Sequence, residues 1–278
     1  MPNVAQAIAH DIEDALARDQ LDLPSLPEVA LQVRDEAASE TVNTNSLSKV
    51  VGQDAGLAAQ VVRIANSPLF RATRSIDDLS QAISRLGVEY SANLVTGLAM
   101  QQMFQATSEM VDHKMRQVWQ ESTTVAAWAS VIAKQRTKLR ADQATLAGLT
   151  HAIGVLPILG WVEENSHVIG DSLTLDRVID AIHPTLGGMI LKHWNFADEI
   201  VCVPTVMQDL SREDGPVDYA DVVLAGKLCS LRNTNHPLLD HDWANAPLFK
   251  RLAFSLDEED ADFQNVLEAV QEMGNVFA

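Results

Sequence analysis

Residues 50–70, VVGQDAGLAAQVVRIANSPLF, carry the clearest helical pattern in the chain. Their apolar side chains recur at the spacing that places them on one face of a helix, at Leu57, Val61, Ile64 and Ala65. Asp54 stands just before this pattern, and aspartate is a residue type that accepts hydrogen bonds from the first N–H groups of a helix. The stretch therefore predicts a helix that begins after Asp54 and buries one apolar face.

The same spacing continues along nearly the whole sequence, whereas the alternation typical of strands is nearly absent. Upstream, Ser25 followed by Glu28 is typical of a capping box at the start of a helix. Downstream, the apolar pattern predicts helices over residues 90–104 and 114–139, with a polar interval between them. The sequence therefore predicts an all-α fold.

The polar interval at residues 105–113 is the candidate boundary between two helical lobes. We divide the chain into an N-terminal helix at residues 1–21, a first lobe at 22–106, a second lobe at 107–232 and a C-terminal extension at 233–278. The extension holds an acidic turn and an amphipathic helix. The sequence leaves open whether that helix is a docking element or a solvated cap on the fold.

The charge balance restricts the partners that the protein can have. The 278 residues include 38 acidic and 20 basic side chains, which gives a net charge of −18. Such a charge disfavours sequence-independent binding to nucleic acid or to an anionic membrane surface. The densest basic cluster is typical of a solvated helix end and comprises Lys134, Arg136, Lys138 and Arg140. We therefore expect neither nucleic acid nor membrane as a partner.

The cysteines, the N-terminus and the apolar segments indicate the cellular compartment of the protein. Cys202 and Cys229 each stand in an apolar run, so we interpret them as small buried hydrophobic residues typical of a reducing compartment. The N-terminus carries acidic residues early and lacks a signal-peptide pattern. The most apolar window, residues 153–162, is about half the length that a bilayer requires. These features together predict a cytoplasmic protein.

The tryptophans and methionines have mainly structural interpretations. We expect the five tryptophans to anchor the core or the lobe interface, namely Trp119, Trp128, Trp161, Trp194 and Trp243. A group of methionines lies around the predicted lobe boundary, at Met100, Met103, Met110 and Met115. Because methionine fills cores and also forms adaptable binding surfaces, both interpretations stay open for this group.

Most motifs that carry chemistry are absent from the sequence. It contains no phosphate-binding glycine–lysine loop, no paired CxxC, no HExxH and no Gly-x-Ser-x-Gly elbow. The informative segment is AGLTHAIG at residues 147–154, in which His151 lies within an apolar helical pattern. A hydrogen-bonded core histidine and a functional histidine are both consistent with this position.

Several segments together resemble the HDOD domain family. They are LPSLPEVALQV at residues 23–33, the opening stretch at 50–70, the run from Ser75 to Gly87 and AGLTHAIG at 147–154. The resemblance covers about residues 22–230. It implies a degenerate relative of the HD phosphohydrolases found in bacterial signalling proteins, with an N-terminal helical bundle packed on an HD-like helical bundle.

The same resemblance identifies which residues stand at the family's metal-ligand positions. Glu121 replaces the first histidine, whereas His151 and His183 match family histidines. The remaining ligand positions carry residues without a hard ligand atom, namely Ala152, Val206, Met207 and Gly226. Since bridging carboxylates help to hold two metal ions and to generate a hydroxide, the resemblance implies a site that has lost its two-metal chemistry.

Three functions follow from this interpretation as hypotheses. The first is a non-catalytic signalling domain without a metal cofactor, which binds a partner protein or senses a small ligand at the vestigial pocket of Glu121, His151 and His183. The alternative is a metal-dependent phosphohydrolase with a single ion held by the same three residues. A third hypothesis is nucleotide recognition without hydrolysis, which rests on the ancestry of the pocket alone.

Overall fold

The computed structural model describes residues 4–18, 20–21, 23–67, 70, 74–165, 168, 171–212, 215–232, 234, 236–240, 243, 246–255, 257 and 259–277. Within these residues the chain forms helices and no strand, which confirms the all-α class. The helices in chain order are α1 (Val4–Ala17), α2 (Glu28–Ala37), α3 (Thr44–Val51), α4 (Ala55–Ala65), α5 (Leu79–Leu86), α6 (Val88–Ala99), α7 (Glu109–Arg136), α8 (Ala141–Thr150), α9 (Val155–Glu164), α10 (Ser172–His193), α11 (Asp198–Val201), α12 (Val203–Val206), α13 (Tyr219–Ser230), α14 (Pro247–Leu252) and α15 (Ala261–Phe277).

The opening stretch of the sequence forms α4 as predicted. The carboxylate of Asp54 accepts hydrogen bonds from the backbone N–H groups of Gly56 and Leu57, at 2.9 and 3.0 Å. The four apolar residues that share one face of α4 are all buried. Local sequence is sufficient here because the cap and the apolar face lie within a single helix.

Helix α7 is the central element of the second half of the fold. It is 28 residues long, and residues 125–133 within it are all buried. A helix that is buried on every side must be covered by several neighbours. Helices α8, α13 and α15 pack against it, so α7 forms the base on which the candidate site is built.

Two helix starts differ from the sequence prediction. Helix α2 begins at Glu28 after Pro27 and has no side-chain cap, so the predicted capping box at Ser25 is wrong. The reason is that Pro27 disfavours a helical backbone in the residue before it. Helix α7 begins at Glu109 rather than at residue 114, and Glu163 of α9 accepts the N–H groups of residues 107 and 108 just before it, each at 2.7 Å.

Arg34 of α2 contacts the residues at the end of α10. The Arg34 guanidinium donates to the carbonyl oxygens of Trp194 and Asn195, at 2.7 and 2.8 Å. It also lies 4.3 Å from the centre of the Phe196 ring. The Trp194 indole N–H donates to the carbonyl of Pro24, at 2.8 Å. Since charged hydrogen bonds are stronger than neutral ones, this contact fixes α2 against α10.

The C-terminal helix α15 packs against α7 and α4. Phe263 of α15 is fully buried and its ring centre lies 5.8 Å from that of Trp128. Arg136 at the end of α7 forms an ion pair with Asp262, at 3.0 Å. The expectation that Arg136 is simply solvated is therefore wrong, and the amphipathic helix is a packed part of the fold. The four boundaries proposed between segments stay predictions.

The remaining predictions concern the tryptophans, the cysteines and the most apolar stretch of the chain. Four tryptophans are buried and Trp161 is half-buried. Cys202 and Cys229 are both free thiols; Cys229 is buried as predicted, whereas Cys202 is only half-buried, so the prediction is wrong for Cys202. The stretch Ala141–Glu164 has the length and composition of a membrane-crossing helix, but 89% of its most apolar window is buried inside the fold. That burial is typical of core helices in globular domains.

Candidate functional site

His151 lies directly after α8 and is 4% exposed. Its Nδ1 lies 2.7 Å from the carbonyl oxygen of Gly148, which can only accept a hydrogen bond, so Nδ1 carries the proton and donates. Burial lowers the pKa of His151 to about 3, and the neighbouring positive charge of Lys227 adds to this effect. The imidazole is therefore neutral at physiological pH, with its Nε2 lone pair available.

His183 lies in the middle of α10 and has the same arrangement. It is 5% exposed, and its Nδ1 lies 2.8 Å from the carbonyl oxygen of Ile179. Burial lowers its pKa to about 4, with a further contribution from Lys227. His151 and His183 also interact electrostatically with each other, so the fold brings together the two histidines that the sequence predicted as a pair.

Lys227 of α13 interacts with both histidines. The sequence alone did not indicate it as a site residue. Its charge acts on both His151 and His183. Burial lowers the pKa of Lys227, while the carboxylates of Asp180 and Glu121 oppose that shift. Lys227 thus acts on two of the residues that the family resemblance places at metal-ligand positions. The available signal was its position, one residue after Gly226, where the family's late aspartate is expected.

Glu121, the third predicted site residue, lies at the edge of this group. Its side chain is exposed on α7 and accepts a hydrogen bond from Gln117 one turn earlier, at 2.8 Å. It acts on Lys227 through its charge. The structure therefore relates Glu121 to Lys227 rather than directly to the histidines, and its hydrogen bond is to a neighbour on its own helix.

Gly226 stands near the late ligand position implied by the family resemblance, where α13 packs closely against α7. A Cβ atom built on Gly226 would lie 3.0 Å from the carbonyl oxygen of Val125 and 3.1 Å from the Cβ of Trp128. Both distances are tighter than ordinary contacts, so a larger residue here would require its neighbours on α7 to shift by a few tenths of an ångström. Lys227 is the next residue of α13.

A second close approach fixes His183 relative to α9. A Cβ atom on Gly154 would lie 2.0 Å from the carbonyl oxygen of His183 and 2.4 Å from the nitrogen of Gly187. Only glycine permits this contact between the turn after α8 and α10. The segment AGLTHAIG thus positions His151 directly and His183 through Gly154.

The remaining ligand positions offer no hard donor atom for a metal. Ala152 and Met207 are buried, and Val206 is half-buried. Among the residues that the structure describes, no three His, Cys, Asp or Glu side chains are grouped so that they could hold a metal ion. Two neutral imidazoles and a lysine do not fit the oxygen-rich, negatively charged donor set that a two-metal hydrolase requires.

Comparison with known proteins gives a consistent result. The sequence matches the HDOD domain family over residues 23–209. The crystal structure named "Putative metal-dependent phosphohydrolase" from Shewanella amazonensis SB2B has a TM-score of 0.87 and 27% identity, over 99% of this chain and 99% of that chain. An HDOD domain protein of unknown function from Geobacter sulfurreducens shares the fold, with a TM-score of 0.65 and 22% identity over 98% of this chain and 96% of its own.

A further relative was found by sequence alone. An uncharacterized protein of Treponema pallidum is 22% identical over 194 residues, which make up 65% of this chain and 36% of that protein. The chain thus aligns with about a third of the length of this relative.

Proposed function

This chain belongs to the HDOD domain family, and from that premise we propose that it is a non-catalytic regulatory domain of a signalling system. It acts by binding a partner protein or by sensing a small ligand at the group of His151, His183 and Lys227. It uses no metal cofactor, and it works in the cytoplasm.

The observation that carries this proposal is the placement of Lys227. In a hydrolase of the HD type, carboxylates and histidines surround metal cations that generate the nucleophile. Here the side chain of Lys227 acts on the same histidines. A lysine supplies no anionic oxygen ligand to balance the charge of metal cations, whereas the carboxylates of a two-metal site do. The group therefore supports binding of a polar ligand better than it supports metal-dependent hydrolysis.

The rival function is the reduced phosphohydrolase with one ion on Glu121, His151 and His183. Its support is the name of the similar Shewanella amazonensis protein. The Nδ1–H of each histidine donates to a backbone carbonyl, which is also the arrangement that orients metal-ligating histidines. This arrangement is expected in a relic of a metal site as well as in a working one, so it does not separate the two functions.

The regulatory function and the hydrolase function are distinguished by measuring metal content and phosphoester hydrolysis on the same samples. The purified protein is incubated with manganese, iron or zinc, dialysed and subjected to elemental analysis, and phosphatase activity is assayed with a generic phosphoester. We expect similar trace metal and no hydrolysis in the wild type, in His151→Ala and in His183→Ala. The control is His193→Ala, which changes an exposed histidine at the end of α10.

The hydrolase function would be established by one pattern of results. It consists of near-stoichiometric metal and activity in the wild type and in His193→Ala, both lost in the two buried-histidine variants. Circular dichroism of each variant establishes that the loss is not a loss of fold. Under that pattern the regulatory proposal is abandoned.

A further inference from the structure

A cavity of about 270 Å³ lies away from the histidine group, between the segment that joins α1 to α2 and helices α7 and α9. Its apolar wall includes Leu21, Met103, Met115, Leu156 and Trp161. Met103 belongs to the predicted first lobe and Met115 to the second, so the cavity lies where the two predicted lobes meet. The methionine group noted in the sequence thus contributes both core residues and the wall of a cavity.

Gly160 indicates that this cavity is a built feature. It lies inside α9 and lines the cavity, and a Cβ atom built on it would meet no atom within 4 Å. Its backbone has no positive φ that would require glycine. Glycine in the middle of a helix is less stable than alanine, and neither packing nor backbone geometry explains it here. Because residue 160 has no side chain, the wall of the cavity is open at this position.

The polar groups at the cavity favour a positively charged ligand. The carboxylate of Glu164 forms no hydrogen bond or ion pair with the described residues, and the indole N–H of Trp161 donates to none of them. Among the described residues that line the cavity, none is a lysine, arginine or histidine. A carboxylate beside an aromatic ring is complementary to an organic ammonium group, because both attract a cation.

We propose that this cavity binds a small molecule with an apolar body and a protonated amine. The body packs against Met103, Met115 and Leu156, while the ammonium group contacts the Trp161 ring and the Glu164 carboxylate. A nucleotide or another phosphate compound does not fit, since no described lining residue would neutralise its charge. The proposal does not depend on whether the histidine group is catalytic.

The test uses phenethylammonium as the probe, with 2-phenylethanol as its neutral counterpart and 3-phenylpropionate as its anionic counterpart. Binding to the full chain is measured by calorimetry and by perturbation of the Trp161 indole signal in NMR spectra. We expect saturable binding of the ammonium at millimolar concentration, and weaker binding of both counterparts. Glu164→Gln should weaken ammonium binding about threefold, the size expected for a partly solvated charge pair. Glu109→Gln, which changes an exposed acid at the start of α7, should leave binding unchanged.

Two substitutions of Gly160 change the volume of the cavity without changing its charge. Gly160→Leu fills the cavity and should abolish binding, while Gly160→Ala leaves most of the space and should retain it. Both variants are expected to fold, because the added Cβ meets no neighbour. The proposal is overturned if Gly160→Leu binds the ammonium as well as Gly160→Ala does, if the anionic compound binds best, or if no probe binds at millimolar concentration.

Discussion

Mild acid should destabilise the folded protein through His151 and His183. In the unfolded chain a histidine has its ordinary pKa of 6.5, whereas burial lowers the folded pKa to about 3 for His151 and to about 4 for His183. Between these values the unfolded state binds more protons than the folded state. The free energy of unfolding therefore falls as the pH falls from 7 to 4, and it is fully retained above the unfolded pKa.

The size of this loss in the free energy of unfolding depends little on the exact pKa values of the histidines in the folded state. At pH 5 an unfolded histidine is almost entirely protonated, while a folded histidine with a pKa of 4 or below is mostly neutral. Integration from pH 7.5 to 5.0 gives a loss of about 2 kcal/mol for each histidine and about 4 kcal/mol for both. A loss of this size is a large fraction of the stability of an ordinary domain. The hydrogen bonds from Arg140 and Asn93 lower the pKa of Asp142 against the effect of burial, so this carboxylate titrates below this range.

The assay is urea unfolding at pH 7.5 and at pH 5.0, for the wild type and for His151→Gln. The variant should lose about 2 kcal/mol less than the wild type between the two pH values, since one titrating group has been removed. This difference is informative even if the variant is less stable at both values. His193→Gln, at the exposed end of α10, is the control for removing a histidine that is not buried. An equal pH dependence in the wild type and in His151→Gln would refute the reasoning.

Five further substitutions test other parts of the structure. Lys227→Met removes a positive charge beside both buried histidines, so their pKa values should rise in an NMR titration; unchanged values would mean that Lys227 does not face them. Arg34→Met removes two charged hydrogen bonds and should cost roughly 2–3 kcal/mol in urea unfolding, and a cost within error of zero would contradict the proposed role of this contact. Gly154→Ala places a Cβ atom 2.0 Å from a carbonyl oxygen and should lower the melting temperature strongly, whereas Gly160→Ala should stabilise by about 0.5–1 kcal/mol; the opposite order would be inconsistent with the packing described. Phe263→Ala should cost about 3–5 kcal/mol, and a loss below 1 kcal/mol would show that α15 is not part of the cooperative fold.

The candidate site was only partly predictable. Resemblance to a family identified His151 and His183, and in the fold the two histidines interact electrostatically; their role as a site stays a prediction. It did not identify Lys227, because a lysine has no place in a set of metal ligands and its effect on the histidines arises only when separate helices pack together. The sequence also treated Glu121 as an equal member of the group, although its side chain is exposed and bonded to Gln117. The direction of a side chain on a long helix is decided by its neighbours in space.

The sequence by itself determined the helical class, the start of α4 and the apolar faces, since these depend on residues within one or two turns of each other. Tertiary structure decided how the backbone just before α7 is held, since Glu163 of a different helix accepts the N–H groups of residues 107 and 108, and it decided the attachment of α2 through Arg34 to residues 160 positions away. It also decided the charge state of the two histidines, because burial and the neighbouring Lys227 act through space. Local patterns encode helices, whereas hydrogen bonds, close approaches and pKa values that depend on distant residues exist only once the helices have packed.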